Sequence, residues 1–464
     1  MLKIDRLLIF AVAAAFIALQ LSGADWLVWA LGGLVFIAMA VLLPQLRGMT
    51  LWLTSAFLAG GVVLLIVQQA SARVWFESAG INATLVTLFV FAPLFGIPVR
   101  IPAYVEALRR FYDTSLRSST VMFLGTQLLT QIMGAFINVG SIPVVYHLAF
   151  VKPRPKMEGL LAGALNRGFA GAICWSPYFA AMAIVTTALH LNWSSLLPYL
   201  VVLSLLTLIV SFLMDFSKLK RVGGEESEVL VESGQAEISE VSEVAALPEA
   251  SKKAAFPVGL AVYLICAIGV ILLLEPLIDV PMVIITCMSA VIFPVIWCFF
   301  KGAMATYRQG LINHLTVTLP ALKKEITLFL AAGFFSGAVG AVGFGAFVPK
   351  MLSVIPLPID VAFSLLALVL IAGTSIIGLH PIVLVSVFAN GVDPHSVGAT
   401  PTYMAVLLLG SWAVSNTVSP ASAVNNLLSG LFKRTVFELA RPNYKFAAFM
   451  GAAVIVYLML LLEF

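Results

Sequence analysis

The 464-residue sequence predicts an all-α polytopic membrane protein of two inverted repeats, each with a re-entrant helical hairpin and a broken transmembrane helix. Three observations carry this reading. Hydrophobic residues make up 61% of the chain and charged residues 10%, with a mean hydropathy of +1.07; a soluble domain is nearer half apolar and a quarter charged. Apolar runs of about 18 or more residues recur from end to end, the length a helix needs to cross a bilayer, and none alternates with polar residues as a barrel strand would. Polar residues then gather inside a few apolar segments, as in "SWAVSNTVSPASAVNNLLSG" (411–430).

The elements, about 11 full spans and 2 hairpins, follow in chain order. Residues 1–25 form an extra N-terminal helix; the basic start and apolar run lack an A-x-A site, so the segment reads as a span rather than a cleaved signal. The first repeat, 26–215, has spans at 26–44, 51–70 and 80–97, a hairpin at 118–150, a broken helix at 160–190 and a last span at 195–215. Residues 216–255 are acidic, rich in Ser and Ala and poor in aromatics, which predicts a disordered cytoplasmic linker. The second repeat, 256–464, has spans at 257–276, 281–300 and 326–345, a hairpin at 361–392, a broken helix at 402–432 and a final span at 446–463.

Charge placement sets orientation. With a cytoplasmic N-terminus and both hairpins returning to their own side, only Arg73 and Lys350 of the 26 Lys and Arg residues face outward. The clusters Arg100/Arg109/Arg110/Arg117, Lys152/Arg154/Lys156, Lys323/Lys324 and Lys433/Arg434/Arg441/Lys445 all fall inside, the positive-inside pattern. Making either hairpin a full crossing would place several clusters outside. The C-terminus then ends outside, in a bacterial-type plasma membrane. The basic clusters are topology signals and predict no nucleic-acid site. Cys174, Cys266, Cys287 and Cys298 lie in apolar segments without CxxC spacing and read as packing residues.

The halves also echo one another in sequence. "NVGSIPVV" (138–145) parallels "IIGLHPIV" (376–383), aligning Gly140 and Pro143 with Gly378 and Pro381. "CWSPYFAA" (174–181) parallels "TVSPASAV" (417–424), aligning Ser176-Pro177 with Ser419-Pro420. In hydrocarbon every backbone group must be bonded, so interrupted helices persist only where they line a buried polar cavity. Pro177 and Pro420 each remove an amide donor and clash with the preceding turn. Gly140 and Gly378 would permit the hairpin turns, and Pro143 and Pro381 would start the returning half-helices.

Half-helix N-termini present free N–H groups to an anion, while C-terminal carbonyls with Ser, Thr and Asn oxygens suit Na⁺. The candidate binding residues are Asn138 and Ser141 at the first tip, Ser176 at the first break, and Thr374, Ser375 and His380 at the second tip. The second break adds Ser415, Asn416, Thr417, Ser419 and Asn425. Neither hairpin nor broken span holds Asp or Glu, which argues against a proton/cation antiporter with an intramembrane carboxylate. His380 is read either as a headgroup or coupling-proton site or as a neutral group holding the turn, and His147 as structural. No His or Cys spacing suggests a metal.

On Ser415-Asn416-Thr417 and this element order, the chain resembles the ion transporter superfamily, and within it the divalent anion:sodium symporters. That family carries Ser-Asn-Thr triplets at its hairpin tips, whereas here the triplet falls in the second broken span. The resemblance implies an elevator mechanism, in which hairpins and broken helices move as a block against a dimeric scaffold. The segments 98–117 and 348–360 would be the joining arms. "YVEALRRFYDTSLR" (104–117) is amphipathic and basic, and "ATYRQGLINHLTVTLPALKKE" (305–325) offers a second surface helix.

The expected function is secondary transport of a small carboxylate or oxyanion by a homodimer, without cofactor, with Na⁺ or H⁺ as coupling ion. A variant on the same fold moves an anionic lipid phosphate such as a polyprenyl phosphate; Phe136, Trp175, Tyr178 and Trp412 near the tips allow it. A non-transporting scaffold or receptor is the rival from another class. An intramembrane enzyme is disfavoured, because no nucleophile–base pair, carboxylate pair or metal cluster is visible.

Overall fold

The structure, a computed structural model, describes residues 4–116, 118–151, 155–238, 254–278 and 280–462. Arg117, Lys152, Arg154 and the 239–253 part of the expected linker lie outside the described residues. Every regular element among the described residues is a helix, and twelve stretches are long and apolar enough to cross a membrane. The chain is therefore an all-α polytopic membrane protein. The seventeen-residue apolar helix Val258–Leu274 comes in addition to those twelve.

The first half opens with α1 (Ile4–Ser22), α2 (Trp26–Leu42), α3 (Gly48–Val67), α4 (Ala72–Gly80) and α5 (Ala83–Phe91). Two 3₁₀ turns, Ala92–Gly96 and Pro98–Arg100, lead to the amphipathic α6 (Pro102–Ser115). The hairpin follows as α7 (Ser119–Ile137) and α8 (Ser141–Ala149), joined by the 3₁₀ turn Asn138–Gly140. The broken helix is α9 (Glu158–Trp175) and α10 (Ala180–Ala188), and α11 (Trp193–Ile238) closes the half. The composition of 216–238 predicts disorder, yet α11 runs through it. A span already formed supplies the nucleus, and Glu, Leu and Lys propagate helix well.

In the second half α12 (Val258–Leu274) and α13 (Met282–Phe300) precede a bent helix made of α14 (Met304–Asn313), a π turn at His314–Thr318 and α15 (Leu319–Ala321). Then come α16 (Lys323–Ala341), the short arm α17 (Phe347–Leu352) and the second hairpin, α18 (Ile359–Ile376) with α19 (Ile382–Gly391). The second broken helix is α20 (Pro401–Val418) and α21 (Ala423–Phe432); α22 (Val436–Ala440) and α23 (Asn443–Leu462) end the chain.

Two packing groups result. Helices α1–α5, α12, α13 and α16 pack together, and α7–α11 pack with α18–α23. The groups meet where α16 lies on α19 and α5 on α10. Small residues set the approach of α16: a Cβ on Gly337 would fall 2.7 Å from the Ser78 Cα, and one on Gly333 2.6 Å from the Asn82 Cβ. In a bilayer, where water does not drive helices together, such close backbone contact is a main source of association. Asn82 adds a polar tie by donating its Nδ2 to the Phe329 carbonyl at 2.8 Å.

Within the second group the halves repeat their packing. Helix α7 packs on α9 with α11 against both, and α18 packs on α20 with α23 against both. The exchange between halves is reciprocal, since α8 touches α21 and α19 touches α10. The two breaks have one geometry. Each spans four residues, Ser176–Phe179 and Ser419–Ser422, with the serine before proline at φ −73°, ψ 130° and at φ −74°, ψ 123°. A residue before proline is pushed out of the helical region by the ring's Cδ. The sequence therefore enforces both breaks locally.

Arg167 is 2% exposed in the middle of α9. Its guanidinium donates to Asp215 Oδ2 on α11 at 2.6 Å, to Ser211 Oγ at 3.2 Å and to Asn443 Oδ1 on α23 at 2.9 Å. It also lies 5.0 Å from the Phe446 ring centroid. Burial of so strong a cation is tolerable because its donors are shared among partners on two other helices.

Candidate functional site

At the first hairpin tip the turn is made by a different residue than the sequence suggests. At the first tip Gly140 has ordinary helical dihedrals (φ −60°, ψ −16°), and the turn is made by Asn138 at φ 49°, ψ −135°. Asparagine tolerates positive φ better than other side chains, but this ψ is a conformation few residues hold without strain. Pro143 falls in the first turn of α8, which begins at Ser141. At the second tip Gly378 makes the turn at φ 97°, and Pro381 precedes the first residue of α19.

Most of the candidate hydroxyls and amides bond the backbone around them. Ser141 donates to the Asn138 carbonyl at 2.8 Å, and Ser176 to the Ala135 carbonyl at 2.8 Å. Thr374 and Ser375 bond back to Leu370 and Ile371 at 2.6 and 2.7 Å. Ser415 and Thr417 do the same to Trp412 and Val414, at 2.8 and 2.7 Å. Asn425 gathers the loose end of α20, donating Nδ2 to the carbonyls of Ser419 at 2.9 Å, Thr417 at 3.3 Å and Asn416 at 3.4 Å. The polar richness of 411–430 thus mainly patches a broken helix whose last carbonyls have no intrahelical donor. The buried Ser419 Oγ has no partner among the described residues, and Ser419 lies outside the cavity lining.

A cavity of about 360 Å³ opens where the interruptions meet. One wall comes from Ile137, Asn138, Val139 and Gly140 at the first tip, Tyr178–Ala181 at the first break, and His380 at the second tip. Trp412, Asn416, Ala423 and Val424 from the second broken helix complete it. Of the eleven candidate binding residues, Asn138, His380 and Asn416 reach this space, and Ser141, Ser176, Thr374, Ser375, Ser415, Thr417, Ser419 and Asn425 do not. Phe136, Tyr178 and Trp412 line it, whereas Trp175 does not.

The rest of the lining was hidden from the sequence. It comprises Leu88 and Phe89 of α5, Ala92, Pro93, Gly96, Ile97 and Arg100 beyond it, and Gly310, Asn313, His314, Thr318, Leu322, Glu325 and Phe329 along α14–α16. The bent helix read as a second surface helix thus also faces the cavity. Its π turn carries His314 and Thr318, and a π turn inside a helix frequently marks a functional site. Glu325 sits in a lysine-rich stretch that reads as a topology signal, so nothing in one dimension marks it as lining a site.

Several groups on residues lining the cavity have no protein partner among the described residues. Asn416 Oδ1 takes the Ser422 hydroxyl at 3.0 Å, and its Nδ2 is buried and unpaired. His314 Nε2 lies 2.8 Å from the Val90 carbonyl, which assigns the proton to that nitrogen and leaves the buried Nδ1 as an unpaired acceptor. Burial holds the His314 imidazole below its ordinary value, against a smaller opposing effect of the Val90 bond. Glu325 Oε2 is likewise buried without a partner. His380 Nδ1 accepts the Ile382 amide at 3.2 Å, so this histidine does help hold the hairpin turn, and Nε2 carries its proton. A row of rings joins the walls, with Phe329 and His380 centroids 5.0 Å apart and His380 and Trp412 centroids 5.8 Å apart.

No family model matches the chain, and none of the curated proteins matches it. Among solved structures it is similar to the YdaH transporter of Alcanivorax borkumensis, a crystal structure described as having an unusual topology. The likeness has 16% sequence identity and a TM-score of 0.49, covering 88% of this chain and 97% of that one.

Proposed function

We propose that this chain is a secondary active transporter of a small organic anion. One observation carries the reading: both hairpin tips, the first helix break and the residues flanking the second converge on a single cavity between the two packing groups. Interrupted helices are costly in a bilayer, and a binding site near the midplane is the use that secondary transporters make of them. Donors at the site favour an anion: Asn416 Nδ2 is unpaired, and the His380 Nε2–H is free. The aromatic lining suits an organic acid with an apolar body better than a hydrated inorganic oxyanion.

In this reading the second packing group moves as an elevator against the first. The protein works as a homodimer in the plasma membrane, with the N-terminus cytoplasmic, the C-terminus outside and Na⁺ or H⁺ as coupling ion. Counterflow in proteoliposomes tests it, using short mono- and dicarboxylates with and without a Na⁺ gradient and at two pH values. Uptake that Asn416→Leu abolishes supports the reading; absence of uptake for every acid sinks it. The same apolar lining supports a second reading, an anionic lipid phosphate carrier, and exchange of a polyprenyl phosphate in place of short acids would select it.

A further inference from the structure

The unpaired atoms on the cavity wall outline what would complete them. We propose that the cavity takes a dipolar solute, an organic acid whose far end carries a nitrogen donor such as an ammonium group; this rests on the anion-transport reading above. On the α20 and hairpin side the free groups are donors, Asn416 Nδ2 and the His380 Nε2–H. On the α14–α16 side they are acceptors, Glu325 Oε2 and His314 Nδ1. All four residues line one cavity.

A buried acceptor left bare costs free energy that a ligand donor would recover. A dicarboxylate would instead bring a second acceptor to a face where His314 Nδ1 has no proton to give. A solute with an acceptor at one end and a donor at the other would offer each pair its complement. The apolar middle of such a solute would lie along the row of Phe329, His380 and Trp412, since Glu325 is one helical turn from Phe329 and Asn416 one turn from Trp412. Arg100 also lines the cavity, but its side chain is exposed, where water screens its charge.

The test compares four probes of matched length on the purified full chain: 6-aminohexanoate, hexanoate, adipate and hexylamine. Thermal stability and binding are read in Na⁺ and in choline buffer. The proposal expects 6-aminohexanoate to bind roughly tenfold tighter than hexanoate, the size of one charge-assisted hydrogen bond. Glu325→Gln should erase that difference and keep the hexanoate response. His314→Gln, which can still donate to the Val90 carbonyl, should reduce it without losing the fold. Equal binding of hexanoate or adipate, or hexanoate in Na⁺ matching 6-aminohexanoate, overturns the dipolar solute and leaves the anion reading standing. A wild-type protein indifferent to every carboxylate overturns both.

Discussion

Asn166 of α9 donates its Nδ2 to the Oδ1 of Asn425 at 2.6 Å, and so joins the broken helix of one half to that of the other. Asn425 in turn holds three carbonyls at the end of α20. The second break is therefore capped from within the first half. Both residues are buried, Asn166 at 1% exposure and Asn425 at 0%. Replacing Asn425 by Leu should cost about 1–3 kcal/mol, because those carbonyls lose their donor in a dry interior. Asn166→Leu should cost less when Asn425 is already gone. A double-mutant cycle on thermal unfolding measures this, and strict additivity would count against the link.

The Arg167–Asp215 pair makes a second prediction. Arg167→Met leaves Asp215 with only Lys218, whose ammonium lies 2.7 Å away on a largely exposed side chain. A buried charge stripped of its partner is expected to cost about 3–5 kcal/mol. Arg167→Met with Asp215→Leu should recover most of that loss, since both desolvated charges are removed. Melting temperatures of the single and double variants in one detergent decide it; a double variant no better than the single one would mean the pair is not the dominant contact.

At the first tip, Asn138 holds a conformation that glycine adopts freely. Asn138→Gly should therefore raise stability by about 1 kcal/mol, and Asn138→Ala should lower it by a similar amount. A thermal shift series on the ligand-free protein checks the order Gly, Asn, Ala. If alanine is tolerated as well as glycine, the turn is not strained.

Acid should weaken the fold through His314. Its ring is buried and held neutral, so its folded value lies below the unfolded value of about 6.5. Between those two values the unfolded chain binds the extra proton, and stability falls as pH drops below about 6.5. At higher pH the residue contributes no pH dependence. His314→Gln should flatten this part of the profile, read as melting temperature from pH 8 to pH 5. Parallel curves for wild type and variant would exclude the residue as the source.

The fold class was legible in one dimension because lipid imposes it: long apolar runs without alternation leave helices as the spanning solution. The breaks at Ser176-Pro177 and Ser419-Pro420 were legible for a similarly local reason, since a proline rejects helix whatever surrounds it. Even so, the turn residue at the first tip is Asn138 and not Gly140, because either can accommodate the reversal and packing selects between them.

Function-bearing contacts were much less legible. A hydroxyl in a broken helix either patches the backbone or faces a solute, and its residue type is the same in both cases. Ser415 and Thr417 patch, and Asn416 between them faces the cavity, because successive helical residues point about 100° apart and only one direction meets open space. Glu325, His314 and Arg100 lie far from the tips along the chain and reach the same cavity only through the packing of α16 and the bent helix before it. Sequence by itself determined that this chain crosses a membrane many times and where its helices must break. Tertiary structure alone decided which unpaired donors and acceptors share one space, since a side chain is left without a partner only by the arrangement of everything around it.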